Sequence, residues 1–411
     1  MKRPFRVLYA LGPGDAVKSF KSWREGADFV GETQLTFSGQ FFDFCREHGV
    51  EGYAISSHPA REVVRDGDLI VENRPKLMRD PGGIRYHVNL GLYLLSLLAT
   101  ALRFGARAVI VDSGTTHWFY LALFAPFRIR VIPSMHNVFW VSGTEPRGGL
   151  NRVILALDGR FWRHCASATL GVSPECQRQV EQIARGRAGP FFQFRSQFRP
   201  ADFGAVPPPP PHDLRPFRVA YAGRIEASKG VFDLLAMAET LDRESPGRWL
   251  FEVCGDGAAR DELVAEIGRR DLGAVVHYLG RLDRPALLAA YGRSHAIIVP
   301  TRSQFCEGMP AVLAEATLTG RPVISSRVTN GLDVLEGAIV EAEPDDLQSY
   351  LACLRRLMAD RPYYEAACRA CPACREQFYD RDKGWTAACT RAFRATVPGF
   401  AAPIEQAVGP R

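Results

Sequence analysis

The chain has 411 residues, 46% of them hydrophobic and 23% charged, with a formal net charge of +6 and a sequence pI near 8.8. That length exceeds one ordinary core and predicts two domains, and the composition is that of a folded soluble protein. The mild basicity permits contact with an anionic membrane surface or a phosphorylated substrate, but no dense Lys/Arg run with interleaved aromatics appears, which argues against a nucleic-acid partner.

Residues 6–10 read as the first strand. Gly12-Pro13-Gly14-Asp15 ends this apolar run too early for a secretory signal. Ten unevenly spaced cysteines fit a reduced setting better than a disulfide framework, so a cytoplasmic location is expected, extending at most to the inner face of the cell membrane. Further strands are predicted at 52–56, 69–72, 108–112, 130–133 and 168–172, with helical patterns at 37–47, 85–104 and 151–164. The most apolar helical stretch, 90–102, is too short to span a bilayer and reads as a buried helix. Trp118, Phe119, Phe124 and Phe127, with Arg128 and Arg130, leave a peripheral membrane contact open, although a core role is preferred for most of the apolar ones.

Residues 206–212 read Val-Pro-Pro-Pro-Pro-Pro-His, and five consecutive prolines favour a semi-rigid extended linker. This sets the predicted domains: 1–205, a linker at 206–216, and 217–378. A final helix at 379–393 is expected to pack back toward the first domain, with a frayed end after Val397. The second half repeats the alternation, with strands at 218–221, 251–254, 275–279, 296–299, 322–325 and 339–341. Its helices are predicted at 231–241, 260–270, 285–291, 311–318 and 347–358. Such alternation predicts an α/β protein with parallel sheets covered on both faces, and two doubly wound domains bind ligands at the strand ends facing their cleft.

Two constellations lie at such strand ends. In Glu307-Gly308-Met309-Pro310-Ala311-Val312-Leu313-Ala314-Glu315 the proline suits a first helical turn, Gly308 lets a ligand approach the backbone, and helix amides favour a phosphate. In Gly223-Arg224-Ile225-Glu226-Ala227-Ser228-Lys229-Gly230, Arg224 offers a bidentate fork for phosphate and Lys229 a point charge. Lys229 is the only lysine between Lys76 and Lys383. The bland alternatives are a helix entry with solvent-facing acids and a surface loop with ordinary cations.

With Val253-Cys254-Gly255-Asp256-Gly257, Tyr278-Leu279-Gly280-Arg281 and Gly320-Arg321-Pro322-Val323-Ile324-Ser325, these residues resemble the retaining glycosyltransferases of family 4, also called group 1 glycosyltransferases, from about 217 to 346. The resemblance implies a GT-B fold, two Rossmann-like domains facing a central cleft, with an NDP-sugar donor on the second domain. It implies that Arg224 and Lys229 bind the donor diphosphate and assist its departure, that Glu315 binds the ribose, and that Glu307 contacts the donor sugar. It places Gly223, Gly255, Gly308 and Met309 around the donor, and adds Gly14 after the first strand. His136, in Met135-His136-Asn137, matches the family's active-site histidine, with a packed structural histidine as the alternative. No metal and no other cofactor is expected. The acceptor would be a glycan or lipid-linked sugar, as in bacterial exopolysaccharide, lipopolysaccharide or glycolipid synthesis. One departure is Ser326-Arg327-Val328-Thr329-Asn330-Gly331, where relatives carry a glycine pair.

Two other classes compete. A catalytically silent nucleotide-sugar-binding subunit is disfavoured by the intact Arg224, Lys229, Glu307 and Glu315. A nicotinamide-dependent oxidoreductase is disfavoured because no Gly-x-Gly-x-x-Gly follows a first strand with an acid about twenty residues on. Cys368, Cys371 and Cys374 are spaced like metal ligands, but no paired motif supplies a fourth. Cys306, beside Glu307, reads as a bystander.

Overall fold

The computed structural model describes residues 5–27, 32–79, 81–145 and 148–400. The first domain begins with β1 (Phe5–Ala10), α1 (Ala16–Arg24), α2 (Phe37–His48), β2 (Val50–Ser56), β3 (Glu62–Asp66), β4 (Leu69–Asn73), α3 (Ile84–Phe104) and β5 (Ala108–Asp112). A 3-10 segment, Trp118–Phe127, leads to β6 (Arg130–Met135), α4 (Gly149–His164), β7 (Thr169–Gly171), α5 (Pro174–Ile183), β8 (Phe191–Gln193) and the short α6 (Pro200–Phe203). The strands form one sheet in the order β3-β4-β2-β1-β5-β6-β7-β8. All pairs are parallel except β3 with β4. Continuous apolar runs place the central strands: every residue of β5, Ala-Val-Ile-Val-Asp, is buried. From β4 to β7 the chain steps across the sheet in one direction, so right-handed crossovers put α3, the 3-10 segment and α4 side by side on one face.

The second domain holds β9 (Phe217–Ala222), α7 (Val231–Glu244), β10 (Trp249–Cys254), α8 (Arg260–Arg269), β11 (Val276–Gly280), α9 (Arg284–Gly292) and β12 (Ala296–Val299). It continues with α10 (Ala311–Thr319), β13 (Val323–Ser325), β14 (Ile339–Glu341), α11 (Leu347–Ala359) and α12 (Arg361–Tyr379). Its six strands are all parallel, in the order β11-β10-β9-β12-β13-β14. The proline linker lies against this domain. The guanidinium of the buried Arg321 donates to the carbonyls of Pro207 at 2.7 Å and Pro208 at 3.1 Å, and also to Gly292 at 2.6 Å.

Several expectations change. The predicted helix at 379–393 is two pieces: Tyr379 ends α12, Asp380 caps a short turn, and α13 (Trp385–Thr396) follows. The chain breaks there because the Asp380 carboxylate captures the Asp382 N–H at 3.0 Å, a local bond that competes with the helix. Helix α13 is buried in the first domain's core: Trp385 stacks 5.1 Å from Tyr9 and donates its indole N–H to Ser134 Oγ at 3.1 Å. The end expected to fray is packed as far as Phe400, which sits 5.7 Å from the rings of both Phe5 and Phe44; 401–411 lie outside the described residues.

The helix predicted at 85–104 forms, but the stretch within it expected to be buried turns part of its surface outward. Helix α3 runs 21 residues, and by length and composition it is apolar enough to cross a bilayer. Tyr93, Leu94 and Leu97 pack into the domain core, while Leu92 and Leu95 stand exposed. Of the aromatic group after β5, Trp118 and Phe124 are buried and Phe127 is exposed.

Candidate functional site

Across the cleft, the segment after β12 meets the segment after β6, where Gly308 bridges to Asn137. After β9 the chain turns through Gly223 and Arg224 into a short 3-10 turn, Ala227–Lys229, before α7. Gly255, at φ 147°, packs beneath this turn, where a Cβ would fall 1.8 Å from the Gly223 carbonyl oxygen. Its role is thus to let the loop after β9 close down on the end of β10.

Lys229 Nζ forms an ion pair with the Glu307 carboxylate, and both side chains are nearly buried. The ammonium also sits 3.7 Å from the centre of the Phe305 ring. Burial pulls Lys229 below its ordinary value, with Glu307 opposing that shift. Arg224 also lies over Phe305, 5.3 Å from its centre, half exposed and bonded to Glu226 at 2.8 Å. Phe305 therefore holds two cations on one ring.

Glu307 itself is fixed through its backbone. Its carbonyl accepts from Asn330 Nδ2 at 2.7 Å and from Val138 N–H at 3.4 Å, and Gly308 bridges to Asn137 of the first domain. The approach is so close that a Cβ on Gly308 would lie 1.8 Å from the His136 carbonyl oxygen. Met309 follows, packed against both domains' cores, and Pro310 opens α10 with no side-chain cap on its first amides. Those N–H groups, Lys229 and Arg224 together make an anion-binding corner.

Glu315, one turn into α10, is buried and has partners on both oxygens. Tyr291 O–H donates at 2.5 Å, and Thr33 of the first domain donates to the other oxygen. Burial raises its carboxyl above the usual range. It borders a cavity of about 180 Å³ with Thr33, Arg284 and Leu287.

On the first domain, His136 Nε2 lies 2.9 Å from Asp112 Oδ1 and 3.1 Å from Ser134 Oγ, and the ring sits 4.4 Å from that of Phe37. Asp112 also accepts from Tyr9 O–H at 2.8 and 2.9 Å. Gly14 has open space around it and shares a cavity of about 190 Å³ with Gly12, Phe37 and Asp112.

The fold thus gathers Arg224, Lys229, Glu307, Gly308 and Met309 into one corner and brings the His136 strand directly against it. Gly14 lines a cavity with Asp112, which is itself bonded to His136, and Glu315 reaches the first domain through Thr33. Sequence reasoning missed Asp112, Phe305, Asn330 and Thr33. Asp112 carried a signal, as an acid ending a wholly apolar strand. Thr33 carried none, since its contact joins residues 282 positions apart.

Residues 205–370 match the family described as glycosyl transferases group 1. This stretch is a group 1 glycosyltransferase domain. Over 157 residues the chain is 29% identical to a glycogen synthase of Mycobacterium tuberculosis, covering 38% of this chain and 37% of that one, so the match spans little more than a third of that relative. Among solved structures, sucrose-phosphate synthase of Thermosynechococcus elongatus superposes with a TM-score of 0.66 at 17% identity, covering 95% of this chain and 98% of that one. The Anabaena protein HepE, solved with UDP and glucose, gives 0.62 at 14% identity, covering 95% and 98%. The architecture is therefore GT-B: two Rossmann-like domains with the glycosyltransferase domain second.

Within the glycosyltransferase domain the cysteines are structural. Cys368, Cys371 and Cys374 lie along α12, and burial raises all three thiols, Cys368 to about 11 and Cys371 to about 12. Cys371 donates to the Arg321 carbonyl at 3.4 Å. Burial likewise raises Cys306, whose thiol faces the Phe139 carbonyl, so it is no nucleophile.

Proposed function

We propose that this protein transfers a sugar from an NDP-sugar to a hydroxyl of a glycan or lipid-linked acceptor, with retention of anomeric configuration. The observation that carries the reading is the corner where Lys229, Arg224 and the uncapped start of α10 converge beside Glu307. A diphosphate seated there meets two cations and a helix end. Glu307, released from Lys229, is free to hold donor hydroxyls, and Glu315, released from Thr33, to hold the ribose.

In the transfer, the bond from the anomeric carbon to the diphosphate oxygen breaks. The acceptor oxygen bonds to the same face, and its proton passes to the departing phosphate. The negative charge that grows on the diphosphate is met by Lys229, Arg224 and the α10 amides, and such preorganised charge is the largest catalytic term in sites of this kind, about 3 kcal/mol or more per donor removed. No metal is required by this charge balance. His136, held by Asp112 and backed by Phe37, faces the sugar from the first domain.

The reading is tested by calorimetry against UDP, GDP and ADP and their sugars, with Lys229→Ala and Glu315→Ala alongside. Binding of one nucleotide family, weakened in both variants at unchanged folded structure, is expected. Wild-type affinity and turnover in both variants would overturn the site assignment.

A further inference from the structure

Apolar side chains standing in solvent concentrate on one face of the first domain. Fifteen large ones are exposed among the described residues, and eleven of these lie on α3, the 3-10 segment and α4. On α3 they form a single stripe, Ile84, Val88, Leu92 and Leu95, spaced by one helical turn. On α4 the same spacing gives Leu150, Val153 and Leu157. Leu123 and Phe127 lie between the two helices.

The charge on this face has one sign. From Pro81 to Leu157 the chain has seven arginines and two acids, Asp112 and Glu145. Asp112 is buried, as is Asp158 on α4. The three elements therefore expose Arg85, Arg103, Arg152 and Arg160, with Arg128 just beyond, and no carboxylate. None of these five is ion-paired among the described residues, whereas elsewhere exposed arginines meet acids, as in Arg355 with Glu244 and Arg270 with Glu266.

Two occupants fail on these facts. Helix α3 cannot cross a bilayer, because its other side is packed into the domain core through Tyr93, Leu94 and Leu97. A second copy joined by a two-fold axis would lay the patch on itself and set unpaired arginines against arginines. An anionic phospholipid surface satisfies both properties: acyl chains take the leucines and valines, and headgroup phosphates take guanidinium groups snorkelling from the rim.

We propose that this face docks the first domain onto an anionic phospholipid bilayer, with α3 and α4 lying in the interface plane. The apolar stripe begins at the cleft end of α3. There Lys76 ties the preceding loop to the Gly114 carbonyl at 2.9 Å, two residues from Asp112. Docking would set the cleft mouth at the headgroup level; only this last consequence, access for a lipid-anchored acceptor, rests on the transferase reading.

The test is co-sedimentation of the full chain with phosphatidylcholine vesicles containing about one third phosphatidylglycerol, and with phosphatidylcholine alone, at low and high salt. Binding to the anionic vesicles that weakens with salt is expected. Arg85→Glu or Arg152→Glu should each lower partitioning at least about fivefold, and Leu95→Asp or Val153→Asp about tenfold or more. Melting temperature and nucleotide affinity, measured on the same preparations, should stay at wild-type values, which separates failure of this face from failure of the donor site. No sedimentation with either vesicle, full binding by the variants, or a concentration-dependent dimer broken by the same substitutions would each overturn the proposal.

Discussion

Replacing Gly308 by alanine asks whether the two domains are meant to touch. A Cβ there would lie 1.8 Å from the His136 oxygen, 2.6 Å from its carbonyl carbon and 2.8 Å from Val172 Cγ1. To reach ordinary contact the His136 strand must retreat by about 1.6 Å, more than a close-packed interior yields without a shift of backbone. The Asn137 bridge to Gly308 and the Val138 N–H bond to the Glu307 carbonyl are then lost. Overpacking of this kind costs about 1–3 kcal/mol, and two backbone hydrogen bonds add about 1 kcal/mol each. Val172 belongs to the first domain's core, so the cost is felt there as well as between the domains. The expected result of Gly308→Ala is a melting temperature lower by several degrees together with a donor-sugar affinity down about tenfold or more, read by calorimetry. Wild-type values of both would refute the claim that Gly308 holds Glu307 against the first domain.

Asp158 offers a pH test. Burial pushes its carboxyl up to about 7, with the Phe119 N–H bond at 2.9 Å only partly opposing this. The folded value lies above the unfolded one, so its contribution is complete below about pH 4 and is lost as pH rises through about 7. Charging it in place costs about 4 kcal/mol; Asp158→Asn avoids that but leaves an amide N–H unpaired at about 1–3 kcal/mol, so denaturant unfolding at pH 8 should show a net gain, absent at pH 4. Arg321→Met leaves the Pro207, Pro208 and Gly292 carbonyls without donors, and should lower stability by about 1–3 kcal/mol for each carbonyl left unpaired and make 206–212 susceptible to limited proteolysis; an uncleaved linker would count against the anchoring role. If Lys229 and Arg224 neutralise the leaving group, an excess of chelator should leave turnover unchanged, and its abolition with recovery on added magnesium would reject that charge balance.

The second domain was legible because its residues obey local rules. Buried runs such as Ala296–Val299 are apolar throughout, Pro310 and Gly320 bracket α10, and Lys229 stands alone in a long lysine-free stretch. What stayed hidden depends on neighbours distant in sequence. Strand β3, Glu-Val-Val-Arg-Asp, is an exposed antiparallel edge with no buried run to announce it. The helical period of α3 reads alike whether its second face meets a sheet or solvent, so its exposed stripe could not be separated from core. Asn330 occupies the segment where the family resemblance leads one to expect glycines, and its bond to the Glu307 carbonyl appears only once β13 has placed it there. Thr33, Phe305 and the Tyr9–Asp112–His136 chain are likewise products of assembly.

The placement of α13 bears on how the molecule is made. Trp385, Ala388, Cys389, Ala392 and Phe393 complete a core whose first strand is Phe5–Ala10. During synthesis the first domain leaves the ribosome early, yet the residues that close its interior are translated after the whole second domain. Until they arrive, Tyr9 and Phe41 face water where the indole will lie. A nascent chain of this protein must therefore carry an open hydrophobic slot through the whole translation of the second domain, and termination between Tyr379 and Trp385 would release a complete second sheet beside a first domain that lacks its closing helix.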